Sequence, residues 1–174
     1  MNQRVISVVE YDSNWKTLFD KEQIKLSEVM APNAVLIEHI GSTSIAGMAA
    51  KPIIDIMVEV SDIDAVTESV SGMEALGYLA KGENGIAGRR YFQKGGNQRS
   101  HHVHVFQSGD ENLIRHRAFK EYVQSHTDVA KRYMDIKKAA VGICNNDINV
   151  YMALKNDFIH EHEKLALCWY NNKT

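Results

Sequence analysis

An aspartate stands in the middle of an otherwise apolar, β-branched run, because Ile53 to Val60 reads IIDIMVEV. Such a run predicts a strand, and strand side chains alternate between faces. Ile54, Ile56, Val58 and Val60 then form one wholly apolar face, while Ile53, Asp55, Met57 and Glu59 form the other. A carboxylate flanked by two isoleucines needs a hydrogen-bonding partner or a metal ion. Before this strand comes Gly41 to Ala50 (GSTSIAGMAA), small and hydroxyl-rich, and before that a second β-branched run, Ala34 to Ile40, that ends at the glycine. Strand, Gly-Ser turn and carboxylate-bearing strand are the parts of a phosphate site beside a metal site. Small residues allow close backbone approach, turn amides and hydroxyls donate to phosphate oxygens, and the carboxylate holds a divalent cation that bridges those oxygens. The competing reading of Gly41 and Ser42 is a plain turn that caps a short helix behind it.

Around these strands the pattern is a sheet-bearing front and a helical back. Val5 to Val9 is an extended lead-in. Asp12 or Ser13 caps a helix with Trp15, Leu18, Phe19, Leu26, Val29 and Met30 at helical spacing, and Pro32 closes it. Asp62 to Leu76 predicts a helix and Tyr78 to Ala80 a strand. Glycine-rich turns (Gly82, Gly85, Gly88; Gly95, Gly96) then lead into Arg90 to Gln93 and His102 to Gln107, an antiparallel pair that makes the sheet mixed. From Glu111 to about Trp169 only helices are expected, with interruptions near Thr127 and at Gly142 to Asp147. The expected class is α+β, with an α/β core over 1–108 and a helical segment over 109–174 packed on it as one compact unit.

A chain of 174 residues, 44% hydrophobic and 24% charged, can bury one such core. Twenty basic against 22 acidic side chains give a net charge of -2, so no global positive field favours nucleic acid and any anion site must be local. Cys144 and Cys168 lack CxxC spacing, which predicts free thiols in a reducing compartment. No segment has the length of a membrane span, and the N-terminus lacks a signal-peptide pattern, so a cytoplasmic protein is expected.

Further polar groups are placed by period. His102 and His104 alternate along one strand, so they share a face about 7 Å apart, with Phe106 continuing it. If that strand lies beside the Asp55 strand, two imidazoles and a carboxylate can bind a transition metal, or the imidazoles can contact a phosphate. Hydrogen bonding within a half-buried sheet is the alternative. His39 and His101 are secondary candidates, and His160 and His162, flanking Glu161, are assigned to a solvated helix face. Positive charge near the turn would come from Lys51 and from one of the adjacent arginines 89 and 90, since alternation lets only one face the site; Arg90 is the expected one. Tyr133 and Lys137, and again Tyr151 and Lys155, sit four apart and share a helical face. Each pair either offers a ring and an ammonium to a nucleotide or packs a tyrosine on a lysine stem. Arg117 is a further candidate for the same cleft.

Several ordered motifs, HIGSTSIAGMAAKPIIDIMVEV (His39 to Val60), RRYFQK (Arg89 to Lys94), HHVHVF (His101 to Phe106) and the later helical pattern, resemble the GrpB family over nearly the whole chain. The resemblance implies a nucleotidyltransferase-like fold with a mixed sheet, flanking helices, a Gly-Ser turn and an aspartate strand. It also implies metal-dependent transfer of a nucleotidyl or related phosphoryl group from a nucleoside triphosphate to a small acceptor. Asp55, His102 and His104 would then be the catalytic and metal-binding set for magnesium or manganese, or for zinc if the histidines join. Gly41, Ser42, Ser44, Lys51, Arg90 and the two Tyr–Lys pairs would hold the phosphorylated ligand. A similar domain is found fused to dephospho-CoA kinase in some bacteria. That implies the alternative of a non-catalytic nucleotide- or CoA-type ligand module that stabilises a partner enzyme of CoA biosynthesis. One departure separates this chain from the wider superfamily. Working nucleotidyltransferases carry a second carboxylate two residues after the first, and a third on a neighbouring strand, to hold two metals about 3.5 to 4 Å apart. Here the second position is Met57. Glu59 shares the face but lies roughly 13 Å from Asp55 at about 3.3 Å per residue, too far for both to grip one ion without a bulge.

Overall fold

A computed structural model describes residues 5–173. Asp12 opens the first helix as expected. Its carboxylate accepts from the Asn14 amide at 2.8 Å, and α1 (Asn14–Met30) follows with Trp15, Phe19, Leu26 and Met30 buried along one side. Strands β1 (Ala34–Ile40) and β2 (Ile54–Val60) pair antiparallel across the small-residue segment. The stretch Asp62 to Leu76, expected as one helix, divides into a 3-10 segment, Asp64–Ser69, and helix α2 (Val70–Ala75). The β-branched Val66, Thr67 and Val70 resist a regular α start, and the turn tightens.

Strands β3 (Tyr78–Ala80), β4 (Arg90–Lys94) and β5 (His101–Gln107) complete a sheet of order β1-β2-β5-β4-β3. Neighbours pair antiparallel except β2 and β5, which run parallel, so the sheet is mixed. The parallel register sets Asp55 opposite His102 and Met57 opposite His104. The α+β class and its mixed sheet are therefore as the alternation and glycine turns predicted.

One sheet face, including Ile54, Ile56, Val58, Val60, Phe92, Val103 and Val105, buries against α1 and α2. Burial of each such side chain contributes about 1.5–3 kcal/mol relative to exposure. The opposite face is divided. At one end Ile40, Met57 and Phe106 close an apolar patch with Leu113 of α3 (Glu111–Ser125). At the other end lie the polar side chains of the site.

Helices α4 (Thr127–Ile143) and α5 (Ile148–Asn171) follow α3, with breaks where the sequence placed them. Asp110 caps α3 through the Asn112 amide, and Asp147 caps α5 through the amides of Asn149 and Val150. Ile45 and Met48, from the segment after Gly41, join the core formed by Ala118, Tyr122, Val129, Tyr133 and Phe158, so the helices are clamped onto the turn. A second fastening is Arg117, which donates to both oxygens of Glu38 and, at 2.7 Å, to Glu59. His162 departs from its expected solvated position. It is 2% exposed, because Tyr151, Lys155, Phe158, His162 and Ala166 form the buried stripe of α5, while His160 is exposed. Among the described residues no helix is long and apolar enough to cross a membrane, and Cys144 and Cys168 are free thiols.

Candidate functional site

The site begins at a backbone conformation that only glycine adopts without strain. Gly41 has φ +72° and ψ -174°, and a Cβ added there would stand 2.7 Å from Asp55 Oδ2. Glycine thus lets the turn pass directly over the carboxylate. The next three residues, Ser42–Ser44, form a single 3-10 turn whose hydroxyls have separate tasks. Ser44 Oγ, expected at the phosphate, instead donates back to the Gly41 carbonyl at 2.5 Å and closes the turn. Thr43 Oγ1 donates to the Ile53 carbonyl and therefore accepts from His39 Nε2, at 2.9 Å. Ser42 faces the cleft, where its Oγ accepts from Lys137 Nζ at 2.9 Å.

Asp55, His102 and His104 are brought together. His104 Nε2 lies 3.2 Å, and His102 Nδ1 3.5 Å, from the same oxygen, Asp55 Oδ1. The other nitrogen of each ring meets an arginine: His104 Nδ1 lies 3.1 Å from Arg89 Nη1, and His102 Nε2 lies 3.1 Å from Arg99 Nη1. A guanidinium can only donate, so those ring nitrogens accept and the protons sit on the nitrogens that face Asp55. His104 is then the Nε2–H tautomer and His102 the Nδ1–H tautomer. Burial pushes Asp55 upward, yet the hydrogen bonds that His102 and His104 donate hold it well below its ordinary value. Burial also lowers His102, with Asp55 opposing and His104 and Arg99 assisting. The imidazoles therefore orient the carboxylate and spend their nitrogens doing so. Among the described residues no group of three or more His, Cys, Asp or Glu side chains is arranged to hold a metal ion.

The arginine that faces this site is Arg89, not Arg90. Tyr91 lies opposite His104 and Gln93 opposite His102, so odd-numbered residues of β4 share the site's face. Arg90 falls with Phe92 on the other face and reaches toward Asp64, 3.7 Å away. Arg89, 6% exposed, is fixed by the carbonyls of Glu83 and Asn84 and stacks over Tyr91. Arg99 escaped the sequence reading because it lies in the β4–β5 loop, where no period applies. Its signal is proximity in a short hairpin, three residues before His102.

A cleft of about 440 Å³ opens between the Gly41 turn, the Asp55 strand and helices α4 and α5. Lys51, Lys137 and Lys155 line it together with Tyr133 and Tyr151. Both expected Tyr–Lys pairs are present: Lys137 Nζ lies 4.3 Å from the Tyr133 ring centre, and Lys155 Nζ 4.9 Å from that of Tyr151. Lys51 Nζ lies 5.0 Å from the same Tyr151 ring. In each pair the ammonium itself sits over the ring of its tyrosine. Lys137 is 1% exposed, and burial, followed by the charges of Lys155 and Lys51, brings it down to about 7. Burial and Lys51 bring Lys155 down to about 8, with Asp55 opposing. Among the described residues lining the cleft, Asp55 is the one carboxylate. Glu59 is engaged by Arg117 and Ser108, and Arg117 belongs to that fastening rather than to the cleft.

Residues 5–165 match the family described as GrpB protein. The chain is 45% identical to the protein YqkA of Bacillus subtilis over 96% of its own length and 49% of that protein, so it spans about half of that relative. It is 24% identical to a dephospho-CoA kinase of Mycolicibacterium paratuberculosis over 94% of its length and 46% of that protein's. The crystal structure of the conserved protein GrpB from Enterococcus faecalis superposes with a TM-score of 0.91 at 39% identity, covering 94% of this chain and 99% of that one. A cytoplasmic RNA terminal U-transferase gives 0.51 at 13% identity, over 74% and 40% of the two chains. Cid1 poly(U) polymerase with MgGTP bound gives 0.50 at 17%, over 75% and 42%. These last two likenesses show a nucleotidyltransferase-like fold.

Proposed function

The chain belongs to the GrpB family, and we propose that it is a nucleotidyltransferase-type enzyme that takes a nucleoside triphosphate into this cleft and transfers its nucleotidyl group to a small acceptor. The observation that carries this reading is the gathering of Lys51, Lys137 and Lys155 in one cleft, with Lys137 Nζ on Ser42 Oγ, beside a single carboxylate. Like charges crowded in a buried place are answered by a polyanion.

Each residue has a part. Gly41 lets the backbone pass close to the ligand, and Ser42 and the ammoniums donate to phosphate oxygens. Asp55 directs Oδ2 at the turn while His102 and His104 hold Oδ1, and its side chain keeps 31% exposure for a ligand to reach. This donor set fits one divalent cation, held by Asp55 and completed by phosphate oxygens, rather than two. When bound, such a cation offsets the charge on the phosphoryl oxygens.

The test is a thermal-shift screen of nucleoside triphosphates and CoA precursors with and without magnesium, manganese and zinc, followed by assay of pyrophosphate release. A ligand that binds the folded state raises its melting temperature by mass action. The reading predicts stabilisation by triphosphates and release that requires a divalent ion. If no phosphorylated compound stabilises the protein, the reading fails.

A second reading, a non-catalytic nucleotide- or CoA-type module that steadies a partner enzyme, draws support from Met57. The place of the second carboxylate is wholly buried among Ile40, Phe106 and Leu113. Ligand binding with no divalent-dependent turnover for any acceptor would favour it.

A further inference from the structure

We propose that Lys51, Lys137 and Lys155 stand in for a second metal ion, so that the cleft grips the adjacent phosphoryl groups of a di- or triphosphate without any divalent cation. The inference rests on the phosphate reading above and deepens it by naming the ligand's charged end and how it is neutralised.

In a two-metal site the second cation needs its own carboxylate and bridges the phosphates. That carboxylate's place is held by Met57, at 0% exposure in an apolar cluster, so a second cation has no ligand there. The missing positive charge is supplied from the other wall. Lys137 Nζ donates to Ser42 Oγ at 2.9 Å, and Lys51 and Lys155 both lie within about 5 Å of the Tyr151 ring. The ionisable groups facing Lys137 are Lys51, Lys155 and Tyr133, none of which offers it a negative charge at neutral pH. Asp55, across the cleft, is occupied by His102 and His104. One phosphoryl group can satisfy one or two ammoniums, whereas three ammoniums lining one cleft, close enough to perturb one another, match two adjacent groups.

Protonation accompanies binding. Burial and its lysine neighbours hold Lys137 at about 7, so at pH 8 most of it is neutral in the free cleft. A bound polyanion restores the charged form, and the protein takes up a proton. Affinity is therefore greatest below pH 7 and falls as pH rises above it.

The test is calorimetric titration of inorganic pyrophosphate into the full chain at pH 8 in EDTA, in two buffers of different ionisation enthalpy. Affinity in EDTA should lie within about threefold of that with magnesium, and orthophosphate should bind about tenfold more weakly. The enthalpies in the two buffers should differ in the sense of proton uptake. Lys137→Met should cut that uptake by most of one proton, leaving the smaller share that Lys155, at about 8, supplies, and should weaken binding about tenfold, while its melting temperature holds or rises because a buried polar group is gone. Lys155→Met repeats the affinity test should the first variant not fold. Pyrophosphate binding that appears only with magnesium, or uptake undiminished in Lys137→Met, overturns this inference and leaves the phosphate site standing. Failure of pyrophosphate to bind under every condition overturns both.

Discussion

Gly41 and Asp55 occupy each other's space: the Cβ that Gly41 lacks would lie 2.7 Å from Asp55 Oδ2. Gly41→Ala must therefore shift the turn or the carboxylate, and it also places a side chain at φ +72°. The expected loss is about 1–3 kcal/mol of stability, measured by denaturant unfolding, with Gly41→Val worse. A variant of unchanged stability would mean that the turn relaxes freely and does not set the carboxylate.

The Arg89–His104 and Arg99–His102 contacts fix opposite tautomers on one carboxylate. Nitrogen-15 NMR of the imidazoles should show the proton on Nε2 of His104 and on Nδ1 of His102 at pH 7. Arg89→Met should release His104 into a mixture of forms, with His102 unaffected. The same tautomer for both rings in the parent protein would contradict the assignment.

Placing a carboxylate at the superfamily's second position should not create a second metal site. Met57→Asp buries a charge against Ile40, Phe106 and Leu113. It should cost about 3–5 kcal/mol, seen as a large fall in melting temperature, with no gain in metal affinity. Tighter manganese binding in a stable variant would refute this.

His39 makes the fold acid-sensitive in a defined window. Burial, then Lys120, lowers it to about 4, while its ring stacks on Phe19 and its Nε2 meets Thr43. The unfolded chain binds this proton near pH 6.5 and the folded chain only near pH 4, so stability is full above 6.5 and is lost as pH falls toward 4. The loss is on the order of 3 kcal/mol. His39→Gln should flatten the melting temperature over that window; identical pH profiles for parent and variant would exclude His39 as the cause.

Alternation made much of the site legible. Asp55 among isoleucines and His102 and His104 two apart each required a strand, and polar groups on otherwise apolar strands gather on one sheet face. The same period decides between Arg89 and Arg90 only when its phase is known. Phe92 belongs to the core, which would have put Arg90 on the wrong face and Arg89 on the right one. Arg99 sits in a turn without a period, and its contact with His102 depends on how the hairpin closes. Glu59 is on the expected face but is taken by Arg117 from a helix whose docking no local pattern specifies. His162 could have been found, since Tyr151, Lys155, Phe158 and His162 already follow helical spacing.

The most direct test compares the parent with Asp55→Asn, measuring pyrophosphate release from a nucleoside triphosphate with and without manganese, and triphosphate affinity by calorimetry in EDTA. The amide oxygen can still accept from His102 and His104, so the fold should persist, and losing a negative charge should leave metal-free affinity unchanged or tighter. Manganese-dependent release is expected in the parent and none in Asp55→Asn. Equal release from both proteins, or an Asp55→Asn that unfolds while its folded fraction keeps full turnover, would contradict it and make Asp55 a structural partner of the two histidines.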